Sequence, residues 1–396
     1  MKLSEKVELC ELSPMRKFHP FAAAAAAKGR KIYHLNIGQP DIATPPAYFE
    51  TVRNFSLPVL EYAESAGNRA MLQAVQNYYA NIGVSYEESD ILITNGGSEA
   101  LSMLMLCILN PGDEVLIPEP FYPNYSTFVR AAGGVVRPIS TTPEEGYHYA
   151  SREKIEACIT EKTRAILVTN PSNPTGVILT PEEQRLLLDI AKEHDLYLIS
   201  DVVYREFFYG GQGLSSLASF EDGSEHVVLV DSVSKRFSAC GARVGCLLSK
   251  NKALMAGAMK FCQARLAVAT LDQMASAALY DVDADYFETV REEYRRRRDT
   301  VMEKLRQIPN VICTEPQGAF YLMAALPIDD ADSFQQWLLT DFAHNGETVM
   351  FAPGHSFYAT PGKGVNEIRI AYVLKQEDLA RAMDLLAMGI EAYNNR

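Results

Sequence analysis

From residue 91 onward, short apolar runs recur along the chain with longer, mixed stretches between them. The runs are ILIT (91–94), EVLIP (114–118), VVRPI (135–139), AILVT (165–169), LYLIS (196–200), HVVLV (226–230) and VGCLL (244–248). They are nearly continuous rather than alternating, the pattern of strands covered on both faces. With helix-length spacers between them, they predict an α/β fold whose large domain holds a mostly parallel seven-stranded sheet between helices. Only 13 residues separate the last two runs, a connection that suits an antiparallel strand better than a helical crossover. Beyond about residue 270 the pattern changes. DADYFETVREEYRRRRDTVMEKLRQI has the period of one long amphipathic helix, and a small sheet carried by AFYLMAAL and EIRIAYV follows among further helices. Near the other end, FAAAAAAKG (21–29) is a helix expected to stop near Gly29. Neither repeats nor a long flexible linker interrupts the chain, so its parts should be firmly joined.

At 396 residues and 47% hydrophobic content the chain outgrows a single core of about 250–300 residues, which predicts two domains. A net charge of −13, from 50 acidic and 37 basic residues, argues against binding nucleic acid or a membrane surface while allowing a local basic site. Seven cysteines without a C-x-x-C pair do not make a disulfide framework; they read as reduced and point to the cytoplasm. The N-terminus MKLSEKVELCEL lacks the apolar centre of an export signal, and no window of about 18 apolar residues marks a membrane span. The seven histidines show no metal-ligand spacing, so no metal is expected. The run Arg295 to Arg298 reads as a solvated helix face paired with Glu292, Glu293 and Asp299 rather than as an anion site.

Ligands of open α/β sheets bind beyond the carboxyl ends of the strands, and the polar residues of this chain gather at the ends of the expected ones. ILIT runs into NGGSEA, EVLIP into EPFYPNY, AILVT into NPSNPTG, LYLIS into Asp201, and HVVLV into Asp231 and SVSK. In NGGSEA, two glycines and Ser98 precede an apolar helix, so backbone N–H groups there can hold an anion such as phosphate; the plainer alternative is a tight turn. NPSNPTG fixes a rigid turn through its two Asn-Pro steps. Asp201, at a buried strand end, needs a cationic or hydrogen-bonding partner, or else caps the segment that follows. Lys235 is either a surface lysine or one made nucleophilic by desolvation, the state that Schiff-base chemistry uses. A phosphate cradle, a tyrosine-rich loop, an asparagine turn, a carboxylate and a lysine at one sheet edge together fit one ligand, pyridoxal 5′-phosphate.

The same residues resemble the class I/II aminotransferases, the fold-type I pyridoxal-phosphate enzymes, over nearly the whole chain. The family pattern around its lysine, S-x-S-K followed by a small residue, Gly, one residue, Arg, one residue and Gly, stands here from Ser232 to Gly245. NPSNPTG, Asp201-x-x-Tyr204 and Arg369 in NEIRIAY follow in family order. The resemblance implies that Lys235 holds the cofactor as a Schiff base and shuttles the substrate Cα proton. It implies that Asp201 pairs with the pyridine nitrogen, that Asn173 and Tyr204 bond the ring's 3′-oxygen, and that Tyr122 stacks on the ring. Gly97, Ser98 and Glu99, completed by Ser232 and Arg243, would hold the phosphate. Tyr62 in EYAESAGNRA resembles the tyrosine that reaches the phosphate of a neighbouring subunit, which implies a homodimer with shared sites. Arg369 matches the arginine that takes the substrate α-carboxylate two-pronged, and Gly38 in LNIGQPD the glycine that closes over it. The implied domains are an N-terminal arm or lid (1–40) packing with the small domain, a large cofactor-binding domain (41–285), and a small α+β domain (286–396) completed by the N-terminal segment.

Three departures stand out. Cys240 and Ala242 replace the family's usual Thr or Pro and bulky residue, and ARLAVATLDQMA lacks the common Ser-x-Pro element. Arg265 lies near where some dicarboxylate-specific members carry a second arginine. The expected activity is transfer of an amino group from an L-amino acid to a 2-oxo acid by a ping-pong cycle. L-aspartate and 2-oxoglutarate come first because SPMRK and YHLNIGQPDI most resemble members acting on aspartate; aromatic amino acids, alanine and methionine remain open. Two alternatives compete: a C–S β-lyase or cyclopropane-forming synthase on the same scaffold, and an aminotransferase-like regulatory ligand-binding protein. The second would need an added N-terminal DNA-binding segment, whereas the aminotransferase pattern here is under way by Ser13.

Overall fold

The computed structural model describes residues 1–11, 13–210 and 213–396. In chain order its strands are β1 (Lys31–His34), β2 (Ile91–Thr94), β3 (Glu114–Pro118), β4 (Val135–Ile139), β5 (Thr163–Thr169), β6 (Tyr197–Asp201), β7 (Val227–Ser232), β8 (Gly245–Ser249), β9 (Tyr321–Ala325), β10 (Glu347–Met350), β11 (Ala352–Pro353) and β12 (Glu367–Ala371). All seven apolar runs are strands, each shifted by no more than two residues. They make one sheet in the order β2-β8-β7-β6-β5-β3-β4. Every neighbouring pair is parallel except those of β8, which is antiparallel to both β7 and β2. The runs are continuous because alternate residues enter opposite layers. Ile91, Ile93, Ile166, Val168 and Leu229 pack on one face, and Leu92, Ala165, Leu167, Val228 and Val230 on the other. Pro138 is tolerated in β4 because that strand lies at the sheet edge, where a missing N–H breaks no central ladder.

The covering helices carry their own start signals. Thr180 accepts from the Glu183 N–H at 3.2 Å while the Glu183 carboxylate accepts from the Thr180 N–H at 2.8 Å, a capping box that opens the Pro181–Glu193 helix. Asn68 and Asn251 cap Arg69–Asn81 and Lys252–Arg265 with the side chain alone, accepting from the Met71 and Leu254 N–H groups. The alanine run forms His19–Ala27.

A second body packs against this sheet. β12 lies between β11 and β9, antiparallel to each, and β1 pairs in parallel with β10. Its core gathers Tyr294, Phe320, Leu338, Phe351 and Leu386. The expected long helix runs from Ala284 to Leu305. Here one expectation needs correction. Arg295 and Arg296 do pair with Glu292, Glu293 and Asp299, but Arg297 and Arg298 are buried. They keep the expected pairing, Arg297 with Glu293 at 2.8 Å and Arg298 with Asp299 at 2.7 Å, but Arg297 also binds Asp41 and the Val373 carbonyl, both at 2.6 Å, and Arg298 reaches the Pro316 carbonyl at 3.2 Å. Four consecutive residues sweep about 300° of a helix, so a run of four cannot stay on one solvated face.

Candidate active site

Three parallel strands deliver chemistry at one edge of the large sheet: β2 ends before Asn95 and the Gly96–Ile108 helix, β6 ends on Asp201, and β7 ends on Ser232. Since β8 is antiparallel, its beginning lies at the same edge, with Gly245 opposite both Thr94 and Ser232. That register brings in Arg243, two residues earlier, whose guanidinium donates to the Asn95 carbonyl at 3.4 Å and the Cys240 carbonyl at 3.2 Å. The approach is close: a β-carbon on Gly245 would stand 2.7 Å from the Asp231 carbonyl and 2.8 Å from the Gly97 nitrogen.

These residues line a cleft of about 410 Å³, within the ~300–1,000 Å³ of small-molecule sites. Four cations line it, Arg16, Lys235, Arg243 and Arg369, against one carboxylate, Asp201. An acidic protein therefore presents a local anion-binding field. At one end, Gly97 and Ser98 lie in the first turn of the Gly96–Ile108 helix, where N–H groups have no intrahelical partner. Ser232 sits opposite, its hydroxyl accepting from the Ser234 N–H at 3.0 Å and so opening the short helix Val233–Arg236.

That short helix separates two neighbouring cations. Arg236 turns into the core, pairs with Asp231 at 2.7 Å and stacks 4.0 Å over Tyr78. Lys235 turns into the cleft, where Nζ donates to the Gly38 carbonyl at 2.8 Å and lies 3.7 Å from the Cys240 sulfur. Asp201 is 7% exposed. Its carboxylate accepts from the Tyr125 hydroxyl at 2.6 Å and from the Val203 N–H at 3.2 Å. Burial nevertheless pushes its pKa up to about 6, with the hydrogen bonds and Lys235 pulling against it. A cationic group bound at this carboxylate would restore its charged form.

The second body closes the cleft from above. Arg369, on β12 and only 2% exposed, donates to the Asn173 side-chain oxygen at 3.0 Å and to the Asn36 carbonyl at 2.6 Å. It lies 4.5 Å over the Tyr321 ring, and burial pulls its pKa down. Asn173 also donates to Tyr204 at 3.4 Å, and the Tyr204 and Tyr321 hydroxyls are 3.0 Å apart. Burial holds the Tyr204 phenol well above its ordinary range, so it stays protonated. Gly38 must be glycine here, since a β-carbon would fall inside the Tyr321 phenol. Tyr122 stands edge-on to Tyr125 with centroids 5.5 Å apart, and its hydroxyl accepts from Asn124 at 2.8 Å.

Most residues singled out from the sequence therefore meet in one cleft, with three exceptions. Glu99 does not line the cleft, its carboxylate accepting from the Asn95 N–H at 2.7 Å. Tyr62 is 82% exposed and does not line the cleft of its own chain. Arg265 donates to the Ile93 carbonyl at 3.1 Å and lies 3.7 Å from Glu99, outside the cleft. Sequence reasoning missed Tyr125 and Tyr321. Tyr125 had a signal, since it stands three residues after Tyr122 on the helix that EPFYPNY begins, whereas Tyr321 reads only as an apolar strand position.

Fold and cleft together define a two-body α/β protein whose interdomain site is built for a small anionic molecule, with a lysine and a buried carboxylate within it. The model of the family described as aminotransferase class I and II matches residues 30–386. An aspartate aminotransferase of Bacillus subtilis is 30% identical over 405 residues, covering 100% of each chain. An aspartate aminotransferase of Thermus thermophilus, solved with maleate, superposes with a TM-score of 0.88 at 29% identity over 98% of this chain and 100% of its own. An alanine aminotransferase from Pyrococcus furiosus gives a TM-score of 0.89 at 28% identity over 99% and 100%. The chain belongs to the class I and II aminotransferases. It is a transaminase that depends on pyridoxal phosphate. The cleft fits that cofactor: an open helix N-terminus with Ser98, Ser232 and Arg243 for its phosphate, the Asp201 carboxylate for its ring nitrogen, and Lys235 for its aldehyde.

Proposed function

We propose that this chain moves the α-amino group of L-aspartate to 2-oxoglutarate by a ping-pong cycle, with Lys235, Asp201 and Arg369 as its central residues. The observation that carries the reading is the convergence of a lysine, a buried carboxylate and a buried arginine on one cleft. When bound, pyridoxal phosphate supplies an aldehyde that condenses with amines and a ring that takes up the electron pair of the Cα–H bond. Lys235 would hold the cofactor through Nζ and would carry the substrate Cα proton. Asp201, oriented by Tyr125 and the Val203 N–H, holds a proton on the ring nitrogen. Asn173 and Tyr204 bond the ring oxygen, and Tyr122 covers one ring face. Backbone N–H groups of Gly97, Ser98 and Glu99, the Ser98 and Ser232 hydroxyls and Arg243 grip the phosphate. Arg369 takes the α-carboxylate with a fork that lysine cannot reproduce, and Gly38 with the 1–40 arm closes over it as a lid.

The reading extends to assembly and setting. Tyr62 reaches the phosphate of a second copy in a homodimer, supported by its exposure beside the exposed Leu57, Val59 and Leu60. The chain divides into the 1–40 arm, the 41–285 large domain and the 286–396 small domain. It works in the cytoplasm, supported by seven unpaired cysteines; no helix among the described residues is long and apolar enough to cross a membrane. Aspartate as donor rests on the names of relatives and on the maleate-bound neighbour. A panel of L-amino acids with 2-oxoglutarate tests the activity. Aspartate should turn over fastest; no turnover with any donor, or acceptor-independent release of pyruvate and ammonia from cystathionine, would overturn the reading.

A further inference from the structure

Lys235 shares its four-residue helix with a second cation, Arg236, to which the reading above gives no role. The Arg236 side chain is 1% exposed and pairs at 2.7 Å with that of Asp231, which is 0% exposed and precedes Ser232 on β7. Asp231 holds the helix at both ends. One carboxylate oxygen accepts from the Ser232 N–H at 2.7 Å, the other from Arg236 and, at 2.9 Å, from the Tyr79 hydroxyl. The Arg236 guanidinium is otherwise packed among the rings of Tyr78, Tyr280 and Phe237, with centroids 4.0, 5.9 and 6.0 Å away, and its Nε and Nη1 have no hydrogen-bond partner among the described residues. Tyr78 in turn donates to Glu206, on the turn that follows Asp201 and carries Tyr204. Both charges are enclosed by their own chain, so a second subunit leaves them untouched.

We infer that Asp231 and Arg236 are positioning residues, a buried pair of opposite charges that clamps the Val233–Arg236 helix and so aims Lys235 at the cofactor. The inference rests on the proposed function, which puts the cofactor on Lys235. Successive residues of a helix point about 100° apart, so an Arg236 fixed in the core fixes the direction in which Lys235 leaves the backbone. A buried ion pair contributes little net stability beside well-packed apolar side chains; what this pair supplies is a single orientation. Its two charges also cancel beneath the cleft. The Asp231 carboxylate is felt there, since Asp201, raised first by burial, is raised further by Asp231. The linkage between Nζ and the cofactor carries a titrating proton, and an unbalanced charge in the pair would shift it. Burial keeps the Tyr78, Tyr79 and Tyr280 phenols and the Cys246 thiol beside the pair protonated, so none of them replaces a lost charge.

The test loads wild type, Asp231→Asn, Arg236→Lys and the double variant Asp231→Asn/Arg236→Met with pyridoxal phosphate. It reads the pH midpoint of the visible band, and the rate and half-saturating concentration of its bleaching by L-aspartate. The other titratable groups that line the cleft with Lys235, among them Asp201, Tyr204, Cys240, Arg243 and Arg369, are the same in every variant, so a difference in midpoint reports the pair. Asp231→Asn leaves a lone buried cation and should lower the midpoint by about half a unit or more. The double variant leaves no charge, so its midpoint should return to that of wild type. Its maximal bleaching rate should stay about 10-fold or more slower, with half-saturation within about twofold. Arg236→Lys keeps the charge and should show the wild-type midpoint with a rate between the double variant and wild type. An unchanged midpoint in Asp231→Asn, or a double variant that bleaches as fast as wild type, would overturn the inference while leaving the transaminase reading intact. Should Asp231→Asn fail to fold, the double variant, which buries no lone charge, decides by its rate. A loaded wild type with no visible band, or one that no amino acid bleaches, would instead overturn the proposed function.

Discussion

At the scale of single residues the proposed chemistry depends on groups held against their solution preference, Asp201 above all. Its native carboxyl titrates near about 6 because it is buried, against about 3.9 in an unfolded chain. Between those values the native protein binds a proton that the unfolded chain does not, so this group's stabilising contribution is present below pH ~4 and lost as pH rises through ~6. Asp201→Asn should therefore make the cofactor-free protein more stable than wild type by about 3 kcal/mol at pH 7.5, and the gap should close near pH 4. Thermal melts of both apoproteins at the two pH values check this; a variant less stable at pH 7.5 would contradict it. Arg369→Lys should raise the KM for amino and oxo acids alike by about 10-fold or more, because a point charge replaces a fork. Steady-state kinetics with two donors would show it. Lys235 and Asp201 were legible because each follows an apolar run that ends at the sheet edge, whereas Arg369, in the middle of β12, was legible only through the family resemblance. Tyr125 and Tyr321 were not, since a tyrosine that orients a carboxylate reads in sequence like one that fills a core.

At the scale of elements, the strands were legible almost to the residue because a doubly covered sheet writes every position as apolar. The antiparallel course of β8 could be read from the length of its connection, and that course is what delivers Arg243 and Gly245 to the anion end. Two substitutions separate stability from function here. Thr180→Ala removes the capping box far from the cleft and should cost about 1 kcal/mol of stability with no change in cofactor affinity. Gly245→Ala drives a methyl group against Gly97 and the Asp231 carbonyl, so it should weaken pyridoxal phosphate binding about 10-fold or more by opening the phosphate cradle. Melting curves and cofactor titration of both variants test the contrast; equal loss of cofactor in the two would refute it. The buried pair Arg297 and Arg298 escaped sequence reading because a charge run gives no sign of which members turn inward.

For the whole molecule, the two bodies meet through polar ties, among them Glu119 accepting from the Ala359 and Thr360 N–H groups at 3.1 Å and the Tyr147 hydroxyl donating to Glu367 at 2.9 Å. The exposed stretch around Leu57, Val59, Leu60 and Tyr62 is the surface on which the proposed homodimer would close. The account's central claim is that all of this converges on Lys235. Its most direct test is the visible absorbance of purified wild type and Lys235→Ala, each supplied with pyridoxal phosphate, before and after L-aspartate and then 2-oxoglutarate. The wild type should gain a visible band that aspartate bleaches and 2-oxoglutarate restores, while the variant fails to cycle. A wild type that stays colourless with added cofactor, or a variant that cycles as fast, would contradict the account.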